Sequence, residues 1–161
     1  MRFEESFTVD YQAADVWAFF EDVHRLARCV PGVEDVKPLE DGRSLVVMTQ
    51  KVGYLSATFD MRMHVAAQEP GRYVEVVSVG RSVKGAVGEL RSRNRVEIEP
   101  ADESKTTVKM AADVALGGML GSVGTKVMQI KAKQVAKEFA ATLSEQIHLF
   151  RARQQRAQAQ G

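Results

Sequence analysis

A chain of 161 residues, 45% apolar and 27% charged, is long enough to bury one substantial core and leaves no room for a second ordinary domain. Its 22 basic and 21 acidic residues give a formal net charge of +1, which excludes the strong overall positive field of a nucleic-acid binder and confines any basic surface to a local patch. The one cysteine, Cys29, has no partner for an internal disulfide, Met1-Arg2-Phe3-Glu4-Glu5 lacks the apolar stretch of a secretory signal, and no window holds the roughly 18–20 consecutive apolar residues that span a bilayer, so a soluble, cytoplasmic protein is expected.

Residues 2 to 10 alternate, with Phe3, Phe7 and Val9 on one side, and predict a first strand. The period then changes. Val16, Trp17, Phe19 and Phe20 fall at helical spacings within Ala13 to Asp22, a second short helix is expected from His24 to Arg28, and Pro31-Gly32 stops it. From about Val33 to Leu116, short alternating runs are separated by turn signals at Asp41-Gly42, Gly53, Pro70-Gly71, the Gly80 to Gly88 loop and Pro100-Ala101-Asp102. This predicts an antiparallel meander. Its clearest strand is Leu55 to Val65, where Leu55, Ala57, Phe59, Met61, Met63 and Val65 share one face and Ser56, Thr58, Asp60, Arg62 and His64 the other. Leu90 to Ile98 and Val108 to Val114 repeat the pattern.

After Gly117-Gly118 a helical pattern runs from roughly Met119 to Arg153, with Leu120, Val123, Val127, Ile130, Val135, Phe139, Leu143 and Ile147 as its apolar stripe. Gly121 and Gly124 should loosen its first turns, because glycine costs about 1 kcal/mol against alanine inside a helix. A single ligand-binding domain over residues 1–150 is expected, followed by a basic, disordered tail at 151–161. The pattern predicts an α+β fold: a curved antiparallel sheet of about seven strands around one long C-terminal helix, with two short helices after the first strand.

A curved sheet gripping one helix need not be packed solid, and a cavity between the two is the candidate site. The lining expected from strand parity and helical spacing is Trp17, Phe20, Met48, Gln50, Phe59, Met61, Met63, Val76, Ser78, Leu90, Ser92, Asn94, Met110, Val114, Met119, Leu120, Val123 and Val127. Methionine fills irregular gaps and contacts rings favourably, so Met48, Met61, Met63 and Met110 suit a flat or flexible apolar ligand, although the same residues serve as gap-fillers in an ordinary core. Gln50, Ser78, Ser92 and Asn94 would stand as polar groups on an apolar floor, able to orient a ligand oxygen or to be satisfied by backbone or buried water.

No catalytic or metal constellation stands out. His24, His64 and His148 lack metal-site spacing, and Cys29 has no histidine placed by local sequence to activate it. Gly117, Gly118, Gly121 and Gly124 resemble a dinucleotide fingerprint only until Leu116 is found where its first glycine belongs. No catalytic activity is expected.

Asp15-Val16-Trp17-Ala18-Phe19-Phe20-Glu21-Asp22 followed by Leu26-Ala27-Arg28-Cys29-Val30-Pro31-Gly32-Val33-Glu34 resembles the CoxG family of carbon monoxide dehydrogenase subunits, within the START-like (SRPBCC) superfamily. Val52-Gly53, Thr58-Phe59, Arg95 to Pro100 and Ala112 to Gly118 resemble its later blocks in order, so the likeness runs from about Phe3 to Leu149. The resemblance implies the helix-grip fold. It also implies an accessory role beside a molybdenum hydroxylase of the carbon monoxide dehydrogenase type, in membrane association or delivery of electrons to quinone. The implied ligand is an isoprenoid quinone held in the cavity, with Gln50 or Asn94 as donors to its carbonyls, and with no covalently bound cofactor. The alternatives are an assembly or docking protein with an incidental cavity, using the Arg91, Arg93, Arg95 row, and a carrier of lipid or aromatic ligands unconnected to a hydroxylase. Some family members end in an apolar membrane segment, whereas this sequence ends with Arg151, Arg153 and Arg156 after its last acid, Glu145. At most a weak peripheral contact with the inner face of the membrane is expected from three arginines.

Overall fold

The computed structural model describes residues 1–160. Seven strands form one antiparallel sheet in the order β1-β7-β6-β5-β4-β3-β2: β1 is Arg2–Val9, β2 Val33–Pro38, β3 Ser44–Val52, β4 Leu55–Glu69, β5 Tyr73–Gly85, β6 Gly88–Pro100 and β7 Thr106–Gly118. Helices α1 (Ala13–Phe20) and α2 (Val23–Arg28) lie between β1 and β2, and α3 (Thr125–Gln160) closes the chain. β2 to β7 follow one another as a meander, and β1, first in sequence, pairs with β7 at the far edge. Register irregularities between Val33 and Asp35, Thr58 and Phe59, and Val65 and Ala67 are the bulges that bend such a sheet.

The short helices are fastened by local polar chemistry. The Asp22 carboxylate accepts the His24 amide at 2.9 Å and so caps α2. Arg25, in the last turn of α2, donates to the carbonyls of Ala18 at 2.8 Å and Phe19 at 2.9 Å, and its guanidinium lies 4.4 Å from the centre of the Phe150 ring. One side chain thus ties both short helices to α3. Their apolar faces close one end of the grip, where Val16, Phe19, Phe20, Leu26 and Cys29 pack with Val9, Val74, Ile98 and Val108 of the sheet and Phe139, Leu143 and Ile147 of α3.

Three boundaries differ from the sequence reading. The segment read as a loop from Gly80 to Gly88 is strand as far as Gly85, because Gly80 sits opposite Met61, where a Cβ would come within 2.1 Å of the Asp60 carbonyl oxygen. Glycine there marks close strand approach, not a turn. The long helix does not begin at Met119. Met119–Ser122 is a 3-10 turn, Val123 is extended, and the Gly124 carbonyl accepts the Met128 amide at 3.1 Å, so Gly121 and Gly124 stand before the first turn of α3. At the other end α3 continues through the tail read as disordered, reaching Gln160. Residues 151–160 contain only Ala, Arg and Gln, all strong helix formers, and Arg151 meets Asp15 of α1 at 3.3 Å. Gly161 lies outside the described residues.

Candidate functional site

The cavity is built from cross-strand rows. Opposite one another on the concave face stand Val114, Ser92, Ser78 and Met63; the next row holds Phe3, Ala112, Asn94 and Val76; another holds Leu116, Leu90, Gly80, Met61 and Val46. Residues paired in register point to the same face, so each row is one stripe of floor. The roof is the first half of α3, which presents Met128, Lys131, Ala132, Val135, Ala136 and Phe139 at the i, i+3, i+4, i+7 spacing of a single helical face. Between floor and roof lies a cavity of about 320 Å³. Phe139 and Val74 belong to both the packed core and the cavity wall, so the helix grip is solid at the α1 end and hollow toward the 3-10 turn.

Of the expected lining, Met48, Gln50, Phe59, Met61, Met63, Val76, Ser78, Leu90, Ser92, Asn94, Met110, Val114 and Leu120 all reach this space. Five residues do not. Phe20 is 2% exposed inside the core and Trp17 packs beside it, ring centres 6.3 Å apart, because α1 covers the filled end of the sheet. Met119 is 55% exposed, Val123 ends the 3-10 turn, and Val127 is 39% exposed near Gly53. Their displacement follows from the helix start. Beginning at Thr125 instead of Met119 puts Met128 and Lys131 on the inward face and turns Val127 and Ile130 outward.

The polar floor is internally bonded. Asn94 Nδ2 donates to Ser92 Oγ at 3.0 Å, and Ser78 lies opposite Ser92. Gln50 Nε2 donates to the Pro31 carbonyl at 2.8 Å, with Met48 Sδ at 3.8 Å, so this amide is already engaged in holding the turn after α2. Every buried side-chain nitrogen and oxygen among the described residues has a partner.

Sequence matching decides the family. The model of the CoxG family of carbon monoxide dehydrogenase subunits matches residues 6–148. The chain belongs to the CoxG family. Among curated proteins no sequence matches it. Similar solved structures include a conserved protein from Geobacillus kaustophilus, 15% identical with a TM-score of 0.80 over 92% of this chain and 95% of that one. A START superfamily protein from Mycobacterium smegmatis is 13% identical, TM-score 0.62, over 92% and 98%. The Zhui aromatase/cyclase from a Streptomyces species is 17% identical, TM-score 0.54, over 91% and 90%. At these identities the likeness establishes the START-like helix-grip fold, as the sequence resemblance implied.

The block that carries most of the CoxG resemblance, Arg28 to Gly32, has a local physical role. Gly32 adopts φ +87°, and a Cβ there would sit 2.2 Å from the Thr49 carbonyl oxygen. Only glycine lets the turn lie this close to β3. Its own carbonyl accepts the Thr49 amide at 2.9 Å, and Gln50 clamps the neighbouring Pro31. The block therefore seats α2 against the cavity's β3 wall, to which Val30 and Val33 also contribute.

Cys29, in the same block, is 1% exposed and donates its Sγ–H to the Arg25 carbonyl at 3.3 Å. Burial disfavours the thiolate and pushes the thiol up to about 12. Because the folded pKa lies above the unfolded one, the unfolded chain loses this proton first, and stability falls as pH rises from about 9 toward 12. Unfolding at stepped alkaline pH should show that decline in the wild type and a shallower one in Cys29→Ala; equal slopes would refute the buried-thiol account. The histidines lie elsewhere: His24 Nε2 and Ser44 Oγ are 2.6 Å apart where α2 meets β3, and His64 and His148 are exposed. No group of three His, Cys, Asp or Glu among the described residues is arranged to hold a metal ion.

Phe3, Glu5, Leu26, Val33, Leu116, Met128, Lys131, Ala132 and Ala136 also line the cavity and were missed in the sequence. For Glu5 the signal was present, since it shares strand parity with Phe3 and Phe7. On the convex face, Arg93 meets Glu75 at 3.1 Å, and Arg95 meets Glu97 at 2.6 Å while stacking on Tyr73. Two of the three arginines of the row are thus already paired. No helix among the described residues is long and apolar enough to cross a membrane.

Proposed function

We propose that this CoxG-family protein carries a small hydrophobic ligand, an isoprenoid quinone in the first instance, as accessory to a molybdenum hydroxylase of the carbon monoxide dehydrogenase type. It binds the molecule without transforming it. The observation that carries this reading is the cavity of about 320 Å³ between sheet and helix, walled by methionines and aliphatic side chains around the small polar centre of Ser78, Ser92 and Asn94. Apolar walls with a few placed polar groups are the usual form of a small-molecule site, and this volume lies near the lower end of the usual range of about 300–1,000 Å³. A flat ring of headgroup size suits it, and a long isoprenoid tail would have to run out past the rim. Asn94 gives one amide hydrogen to Ser92 and keeps a second for a carbonyl oxygen, whereas Gln50 is held by Pro31. A cytoplasmic protein in weak peripheral contact with the membrane would fit such a carrier.

The test is chemical. Native protein, purified without detergent and extracted with organic solvent, should yield a quinone by mass spectrometry, or should bind 2-methyl-1,4-naphthoquinone in calorimetry if it is isolated empty. Repeated absence of any quinone or lipid, with no uptake on addition, would sink the carrier reading.

A further inference from the structure

Two charged side chains, Glu5 and Lys131, stand where the backbone pattern calls for apolar ones. Glu5 pairs with Met110 across β1 and β7, between Phe3 and Phe7 on the inward side of the strand. Lys131 falls in the inward series Met128, Lys131, Ala132, Val135 of α3. Both are partly buried and both line the cavity. Neither meets a partner in an ion pair or a side-chain hydrogen bond among the described residues. Arg95, the third charged residue beside this space, directs its guanidinium outward onto Tyr73 and Glu97.

A lysine often lays its stem along an apolar wall and keeps its ammonium in water. Here burial itself pulls the Lys131 pKa below the usual lysine range, with Glu138, two turns further along α3, acting in the opposite sense. That shift requires the ammonium, not only its stem, to be partly stripped of water. A partly desolvated donor without a protein acceptor forms a strong charge-assisted bond with any oxygen that reaches it.

We propose that Lys131 is the cavity's hydrogen-bond donor to its ligand, and that Glu5 makes the site select a neutral carbonyl on a flat apolar body over a carboxylate. This rests on the cavity being a ligand site. A carbonyl oxygen accepts from Lys131 and adds no charge. A carboxylate would pair with Lys131 as well, but it brings a second negative charge into the space that Glu5 already lines.

Calorimetry with three probes of similar size tests the assignment: 2-methyl-1,4-naphthoquinone, 2-methylnaphthalene and 2-naphthoate. The wild type should bind the quinone most tightly. Lys131→Met should weaken the quinone about tenfold or more and leave 2-methylnaphthalene within about twofold, since a hydrogen bond to a charged group is being removed. Lys131→Arg should restore most of the loss. Glu5→Gln should strengthen 2-naphthoate severalfold with little effect on the quinone. If Lys131→Met weakened both neutral probes equally, or neither, the donor role would be overturned; an unchanged naphthoate affinity in Glu5→Gln would overturn the selectivity role. A wild type that binds none of the three removes the ligand-site reading and this assignment with it.

Discussion

Replacing Leu143 with alanine is expected to lower the unfolding free energy by about 3–5 kcal/mol, measured by urea denaturation followed by circular dichroism. Leu143 is 0% exposed and lies one turn from Phe139 and one from Ile147, on the stretch of α3 that packs against α1 and the sheet. Phe139 meets Phe7 edge-on with ring centres 6.3 Å apart, and Phe150 meets Phe19 at 5.7 Å, so both flanks of the position are held. The surroundings cannot collapse onto the space that alanine leaves, and the cavity term adds to the lost transfer free energy. Val135→Ala, two turns earlier on the same helix, provides the contrast. Val135 is only partly buried and faces the cavity, so its truncation should cost no more than about 1.5 kcal/mol. Equal losses at the two positions would mean that the helix is gripped uniformly along its length, and the division into a filled and a hollow half would be wrong.

That division was only half legible in the sequence. Strand parity is set by a period of two, and it survives errors in loop length, so Met48, Phe59, Met61, Met63, Ser78, Ser92, Asn94 and Met110 were placed on the concave face from alternation alone. Helical phase is less forgiving. An error of six residues in the start of α3, from Met119 to Thr125, sent Val123 and Val127 to the wrong face and hid Met128 and Lys131. The misplaced start arose because Leu120 and Val123 extend the apolar rhythm, while the break comes from an extended Val123 ahead of Gly124. The errors at Trp17 and Phe20 are of another kind. Their apolar character was read correctly, but which end of the sheet α1 covers is a tertiary fact, set by contacts such as Arg25 with Phe150 that lie far apart in sequence. Gln50 fails differently again: its parity is inward, and the Pro31 carbonyl takes the hydrogen that the sequence reading assigned to a ligand.

Ala136→Phe decides whether the hollow half is truly hollow. Ala136 lies on the inward face of α3, one turn before the core, and borders the cavity. Where atoms already pack at crystal density, inserting a phenyl ring forces side chains off their rotamers and costs about 1–3 kcal/mol. Over a void the same ring removes apolar surface from water at about 25 cal/mol per Å² and finds contacts that were missing, so the unfolding midpoint should hold or rise. Binding should move the other way. With the ring occupying the space beneath α3, affinity for 2-methyl-1,4-naphthoquinone is expected to fall by about a hundredfold or more, equivalent to about 2.7 kcal/mol. The paired measurement separates causes that either alone would confuse. Lost binding with a lower midpoint points to a damaged fold, lost binding with an unchanged or higher midpoint to a filled site, and retained binding with an unchanged midpoint would place the ligand somewhere other than between the sheet and α3.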